Sequence, residues 1–475
     1  MATSSPPPPP PPHAVIFPLM AQGHTIPLLD ISKALSSRGL KVTVVTTPQN
    51  APFISSKVSD CSSISISVVP FPSVPDLPRG CENTASLPSM ELLVPFIAAT
   101  KKMKQPFEAL LKEMVENGSR PICVISDFFL SWTLDTCRSF DIPRVVSHGM
   151  GVLPMVVLKT VSSMDVQRET TSVSGSVVEL PDLSLPFALD RSDLQPRNND
   201  PEDDPFSRMI WEVEEADRNS WGVIVNSFQE LECEYVAALE ALHKQAKAWC
   251  VGPVLLYDYI PPGTRGSHDK SESCPYIKWL DEQDGSSAVI YVSFGTQARL
   301  SGDQMDEIAN GLEMAGCRFI WAVRSGTWAS DEGWERRVEG RGLVVCDWVD
   351  QRSILAHPKV GGFLSHCGWN SVLESLSMGV PLLAWPMGAE QPLNAKYVAM
   401  GLEAGLMVSQ GRITALDRHV ICDGIKELMG GEKGRRARER AGLFGTMARH
   451  AVEKGGSSDK KLDELIKCLI TNKKE

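Results

Sequence analysis

The feature that most constrains this chain is a strand–helix–strand pattern that stops at a linker and then starts again. Residues 13–20 read as an apolar strand, a Gly-His turn follows, residues 27–37 read as a helix and residues 40–46 as a second strand. Three such elements within about 35 residues form a βαβ unit, and that connection requires a parallel sheet. Pro27 suits a first helical turn, where its missing N–H costs nothing, and Gly39 suits the helix end. Further strands are predicted at 122–125, 144–147 and 221–227, with a helix at 131–140. Two irregular stretches, 70–89 and 162–204, are long enough to be functional or disordered.

After Val251-Gly252-Pro253 the composition turns to that of a linker, with no periodicity over 255–274. A second series comes after it, with strands predicted at 287–294, 319–324, 343–346 and 361–365. Ser301-x-x-Gln304 reads as a capping box at the head of a helix. The expected fold is therefore α/β, with two Rossmann-like domains whose parallel sheets face a deep cleft. Ligands in such sheets sit at the carboxyl ends of the strands. The division expected is a disordered Pro-rich tail at 1–12, a first domain at 13–252, a linker at 253–275 and a second domain at 276–455. A C-terminal helix at 456–475 should pack back on the first domain, since Leu462, Leu465, Ile466 and Leu469 recur at helical spacing.

Bulk composition removes several classes of partner. A formal charge of −11 argues against nucleic acid, which is bound through clustered Lys and Arg. The one basic run, 433–440, is interleaved with an acid and small residues and reads as a solvated helix face. Twelve scattered cysteines without a Cys-x-x-Cys pair fit reduced thiols in a cytosolic protein. The prolines at 6–12 are followed by no cleavage site, and no run approaches the ~20 apolar residues of a membrane span. A cytoplasmic monomer is expected.

Chemistry concentrates in residues 348–391. Residues 361–365 form a strand, His366-Cys367-Gly368 a turn, and Trp369-Asn370-Ser371 a helix start. Free N–H groups and the helix dipole at such a start form an anion site. Gly368 lets backbone approach a phosphate, and His366, Asn370 and Ser371 can donate to its oxygens. The alternative is purely local, because Ser371-x-x-Glu374 is also a capping box. The indole of Trp348 beside Gln351 suits stacking and edge recognition of a base.

This 44-residue stretch resembles the signature box of plant family 1 UDP-glycosyltransferases. Resemblance extends over nearly the whole chain: Gly23-His24-x-x-Pro27, Val225-Asn226-Ser227-Phe228 with Glu230-Leu231-Glu232, Val251-Gly252-Pro253, and Val292-Ser293-Phe294-Gly295-Thr296. It implies the GT-B fold, with acceptor on the N-terminal domain and UDP-sugar on the C-terminal one. It also implies that Trp348 stacks on uracil, that Val349 and Gln351 contact the uridine, and that Glu374 holds the ribose. His366, Gly368, Asn370, Ser371 and Thr296 then belong to the donor site, with Trp369 near phosphate and sugar. Glu390 and Gln391 hydrogen-bond the sugar hydroxyls, and the terminal Gln favours glucose. Two positions depart from the family pattern. Val349-Asp350 replaces a small residue and proline, and Met387-Gly388-Ala389 lacks a Trp that many relatives carry there.

By the same resemblance, His24 is the general base and Asp127 the carboxylate behind it. Read alone, His24 is an ordinary hydrogen-bonder and Asp127 the N-cap of the next helix. The implied reaction is direct displacement at the anomeric carbon with inversion, the leaving UDP being met by the helix start. UDP-glucose is then a co-substrate, no cofactor or metal is expected, and the acceptor is a small aglycone such as a flavonoid or other phenolic. Transfer to an aromatic carbon stays open beside transfer to a hydroxyl. Phe17, Met20, Phe128, Phe129, His148 and Gly149 are candidates for the acceptor pocket. Two rivals remain. A nicotinamide dehydrogenase would need a Gly-x-Gly-x-x-Gly turn, which both halves lack. A non-catalytic binding protein of the same fold is the other.

Overall fold

The computed structural model describes residues 10–163, 177–180, 182–194, 204–244, 246–258, 274–283, 288–346, 348–408 and 417–471. Most of the Pro-rich tail, much of the predicted linker and most of the 162–204 stretch lie outside the described residues.

Among the described residues, thirteen strands form two wholly parallel sheets. The first contains His13–Phe17 (β1), Lys41–Thr46 (β2), Ile64–Val68 (β3), Cys123–Asp127 (β4), Arg144–His148 (β5), Gly222–Val225 (β6) and Ala248–Cys250 (β7), in the order β3-β2-β1-β4-β5-β6-β7. The second contains Val289–Ser293 (β8), Arg318–Ala322 (β9), Gly342–Val345 (β10), Val360–Ser365 (β11), Leu382–Ala384 (β12) and Gly405–Met407 (β13), in the order β10-β9-β8-β11-β12-β13. Each order reverses once, at β1/β4 and at β8/β11, and these are the switch points where ligands lodge. Strands such as β4, β5 and β8 are buried along their whole length, because helices cover both faces of a parallel sheet.

Helix Gln22–Ser36 begins before the predicted position, so Pro27 is its sixth residue rather than part of its first turn. His24 accordingly lies in the first turn of that helix. The capping box at Ser301 is formed, with both the hydroxyl and the Gln304 side chain engaged. The start of the predicted linker is structured instead: Val254–Leu256 is a buried 3-10 turn, anchored where Asn226 Oδ1 accepts from the Val254 amide at 3.0 Å. Only part of 70–89 is irregular; Thr84–Ser86 forms a 3-10 turn capped by Asn83.

The two domains share an apolar seam. One cluster joins Val146, Val152 and Val225 of the first domain to Trp369, Val372 and Phe363 of the second. The C-terminal helix Ser457–Thr471 crosses back and buries Leu462, Leu465, Cys468 and Leu469 with Leu28 and Leu35 of helix Gln22–Ser36.

Candidate active site

Between the sheets lies a cleft of about 2150 Å³. On its N-terminal wall, β1 and β4 are hydrogen-bonded neighbours, with Phe17 opposite Ser126. The turn leaving β1 and the last residue of β4 must therefore meet. Asp127 is the last residue of β4 and 2% exposed, and its Oδ2 lies 2.6 Å from His24 Nδ1. Its Oδ1 accepts from the Phe129 amide at 3.0 Å. The next helix starts only at Thr133, so Asp127 is not its N-cap. Burial pushes the His24 pKa down, but the charge and hydrogen bond of Asp127, helped by Glu390, carry it above its ordinary 6.5. With Nδ1–H held by the carboxylate, Nε2 is the basic nitrogen left for the cleft.

Beneath the dyad is a buried cation. Arg144 donates to Ser126 Oγ at 2.9 Å, Thr133 Oγ1 at 3.0 Å and Ser220 Oγ at 2.6 Å. Its charge is balanced by buried Asp217, which also faces Lys159 Nζ at 3.1 Å and His148 Nε2 at 2.8 Å. His148, Asp217 and His243 are close enough together to invite a metal ion. Two fixed cations already serve that single carboxylate, so the group reads as an ion network; a divalent ion would meet both cations at close range.

On the opposite wall, the turn after β11 leads into helix Trp369–Ser377. Gly368 is its N-cap and no side chain caps it, which leaves its first amides to the cleft. The alternative capping box at Ser371 is not formed: Gly368 is the N-cap, Ser371 is already the third residue of the helix, and Glu374 is held elsewhere. Gln351 Nε2 donates to Glu374 Oε2 at 2.7 Å and to Ser371 Oγ at 3.0 Å, and Arg352 Nε donates to Glu374 Oε1 at 2.9 Å. His366 is packed between two glycines. A Cβ on Gly368 would come 2.7 Å from its Nε2, and one on Gly295, where φ is +73°, would come 2.9 Å from it. Burial pushes the His366 pKa down to about 4, so the ring faces the cleft neutral and able to donate a hydrogen bond. Trp348 is 52% exposed, and Lys57 of the other domain stands 4.9 Å from its ring centroid. Gln391 Oε1 accepts from the Met387 and Gly388 amides at 2.9 and 3.0 Å, which leaves its N–H donors for a ligand. Burial raises the Glu390 pKa, partly offset by the facing His24.

The cleft thus brings together His24, Phe128, Phe129, Gly149, Thr296, Trp348, Val349, Gln351, His366, Gly368, Trp369, Asn370, Ser371, Glu374, Glu390 and Gln391, with Asp127 directly behind His24. Several expectations need correction. Phe17 is fully buried against Phe107 and Trp132, and Met20 lies in the same core. His148 is buried in the ion network, where its ring stacks on Phe128 at 4.6 Å, so none of the three lines the acceptor side. Val349 turns its side chain into the seam. The Trp369 indole also points into the seam, donating to Asn226 O at 2.7 Å, so its N–H is not available to a ligand. Asn370 Nδ2 is taken by Gly23 O at 2.6 Å, because Pro27 has no N–H to use that helical carbonyl. Sequence reasoning missed Arg352, Asp30 and Lys57, whose partners are hundreds of residues away. It also left Glu232 without a role: its carboxylate caps helix Val152–Ser163 by accepting from the Val152 and Leu153 amides.

Two facing Rossmann-like domains with a shared cleft at their switch points define the two-domain GT-B class of transferases. A family model described as UDP-glucoronosyl and UDP-glucosyl transferase matches residues 249–431, and one described as glycosyltransferase, N-terminal domain, matches residues 13–184. Scopoletin glucosyltransferase of Nicotiana tabacum is 38% identical, over 97% of this chain and 98% of its own. Among solved structures, Glycyrrhiza uralensis UGT73P12 with glycyrrhetinic acid 3-O-monoglucuronide has a TM-score of 0.82 at 29% identity, covering 97% of this chain and 96% of that one. Phytolacca americana UGT2 with UDP-2fluoro-glucose and pterostilbene has a TM-score of 0.79 at 28% identity, covering 97% and 100%. The chain belongs to the UDP-glycosyltransferase family and is an enzyme that transfers a sugar from a UDP-sugar to a small acceptor. Neither the dehydrogenase nor the non-catalytic reading is favoured by these relationships. Among the described residues no helix is long and apolar enough to cross a membrane.

Proposed function

We propose that the enzyme transfers glucose from UDP-glucose to a hydroxyl of a small phenolic, with inversion and without a metal, His24 acting as general base and Asp127 as its partner. The observation that carries this is the 2.6 Å contact of His24 Nδ1 with Asp127, on the wall facing Glu390. His24 Nε2 takes the acceptor proton as the acceptor oxygen attacks the anomeric carbon, and Asp127 stabilises the imidazolium so formed. Glu390 and the N–H groups of Gln391 grip the sugar hydroxyls. Charge growing on the departing UDP is met by the helix amides after Gly368, by His366 and by the Ser371 hydroxyl. That stabilisation supports a metal-free reaction.

Phenolic acceptors are supported by the names of the relatives, one a scopoletin glucosyltransferase and one bound to pterostilbene, and by the rings of Phe128 and Phe129 beside His24. The cleft is built from one chain, so a monomer suffices. A cytoplasmic location is in keeping with twelve cysteines, none of which is in a disulfide. Turnover of a phenolic panel with UDP-glucose tests this reading. We expect product whose glycosidic bond is acid-labile and of inverted configuration, activity unchanged in EDTA, and a loss of at least ~10³-fold in kcat for His24→Ala with UDP affinity intact. Full activity of His24→Ala would overturn the mechanism.

A further inference from the structure

The helix that carries His24 is tied to the nucleotide half of the cleft at two points, and neither tie involves the dyad. At its N-terminal end Pro27 frees the Gly23 carbonyl, and Asn370 of helix Trp369–Ser377 donates to it at 2.6 Å. Further along the same helix stands Asp30. Arg352 Nη1 and Nη2 donate to its Oδ1 and Oδ2 at 3.2 and 2.7 Å, a bidentate fork across the cleft. The third edge of the same guanidinium, Nε, donates to Glu374. One cation therefore joins two carboxylates, one from each domain.

We propose that Arg352 is a positioning residue: by joining Glu374 to Asp30 it fixes helix Gln22–Ser36, and with it His24, against the nucleotide half of the donor site. The inference rests on the proposed role of His24 as base and on the ribose contact that the family resemblance implies for Glu374. His24 and Asp30 are six residues apart, about 9 Å along a rigid helix. Held at Gly23 and again at Asp30, the helix can neither slide nor tilt relative to the phosphate-binding turn. Glu374 is oriented at the same time, one oxygen by Arg352 and the other by Gln351. Nucleotide binding and the placement of the base then depend on one contact. The pair is not a solvated surface bridge of negligible effect: side-chain exposure is 27% at Arg352, 13% at Asp30 and 11% at Glu374. Lysine cannot replace this arginine, because a single ammonium lacks the fork that spans both carboxylates.

Asp30→Asn, Arg352→Gln, Arg352→Lys and the double variant Asp30→Asn/Arg352→Gln test this, with UDP affinity measured by calorimetry and kcat and both KM values measured with UDP-glucose and a phenolic. Asp30 sits in the acceptor-side domain, yet Asp30→Asn should weaken UDP affinity and raise the donor KM by roughly five- to tenfold, lower kcat several-fold and leave the acceptor KM within about twofold. Arg352→Lys, which keeps the charge and so guards against loss of folding, should behave like Asp30→Asn. In the Arg352→Gln background, Asp30→Asn should add less than about twofold, since the contact it deletes is already gone. The proposal is overturned by a donor KM and UDP affinity in Asp30→Asn equal to those of the parent. It is equally overturned if the two substitutions multiply independently. Absence of turnover by the parent enzyme would strike the proposed function instead, while the UDP titrations would still report on Arg352.

Discussion

A histidine in a first helical turn is an ordinary residue until something fixes its tautomer and its charge. In this chain Asp127 does both, and the opposing effects have a definite sign. Burial disfavours the imidazolium, the carboxylate favours it more, and the net pKa lies above 6.5. Since the base must be neutral to take a proton, kcat/KM should rise with pH through a limb centred above 6.5. Asp127→Asn keeps the shape but removes the charge that favoured protonation, so the limb should move to lower pH. Its amide can also donate to Nδ1, which selects the wrong tautomer, and kcat should fall by ~10²–10⁴. A pH–rate profile of both enzymes checks both effects. Residues of this kind were legible in the sequence because the 348–391 stretch and the Gly-His-x-x-Pro turn are local patterns. Phe17, Met20 and His148 were not. They lie on or just after strands buried on both faces, where apolar residues do not alternate and sequence alone cannot tell core from cleft wall.

Elements show why local rules failed where function begins. Ser371-x-x-Glu374 has the spacing of a capping box, yet Arg352 and Gln351 hold both Glu374 oxygens and the helix starts uncapped at Gly368. A cap would have closed the amides that a phosphate needs. Pro27 obeys the same logic: placed deep in a helix it wastes a carbonyl, and that carbonyl is where the other domain docks. The strand series and the Ser301 cap were readable because propensity and periodicity act within one segment. The short strands β12 and β13, three residues each, carry too little pattern to be seen. The turn after β8 offers a test of the phosphate cradle. Gly295 combines φ of +73° with a Cβ position 2.9 Å from His366. Gly295→Ala should therefore displace His366 and strain the backbone by about 1–2 kcal/mol. We expect UDP affinity to fall roughly tenfold by calorimetry, with only a small decrease in melting temperature.

At the scale of the molecule, the chain crosses between the domains twice, and the second crossing supports the catalytic wall from behind. The final helix packs Leu462, Leu465, Cys468 and Leu469 into the cluster that holds Leu28 and Leu35, while Arg38 donates to Asp463 at 2.8 Å and also pairs with Asp459. Its helical spacing announced an apolar face, but only the fold reveals that this face braces the helix bearing His24. Leu465 is fully buried in that cluster. Leu465→Ala removes three buried carbons and leaves a cavity in the cluster that holds Leu28 and Leu35, a loss of about 2–5 kcal/mol. The damage should fall mainly on the N-terminal domain, because Leu465 belongs to its core cluster and helix Trp369–Ser377 packs in a different one. Thermal unfolding of Leu465→Ala should begin several degrees lower and pass through two steps, with UDP protecting mainly the second. Near the onset of the first step, transfer should be lost while UDP titration still shows binding. A single transition with both properties lost together would mean that the apolar seam couples the domains more strongly than the C-terminal brace does.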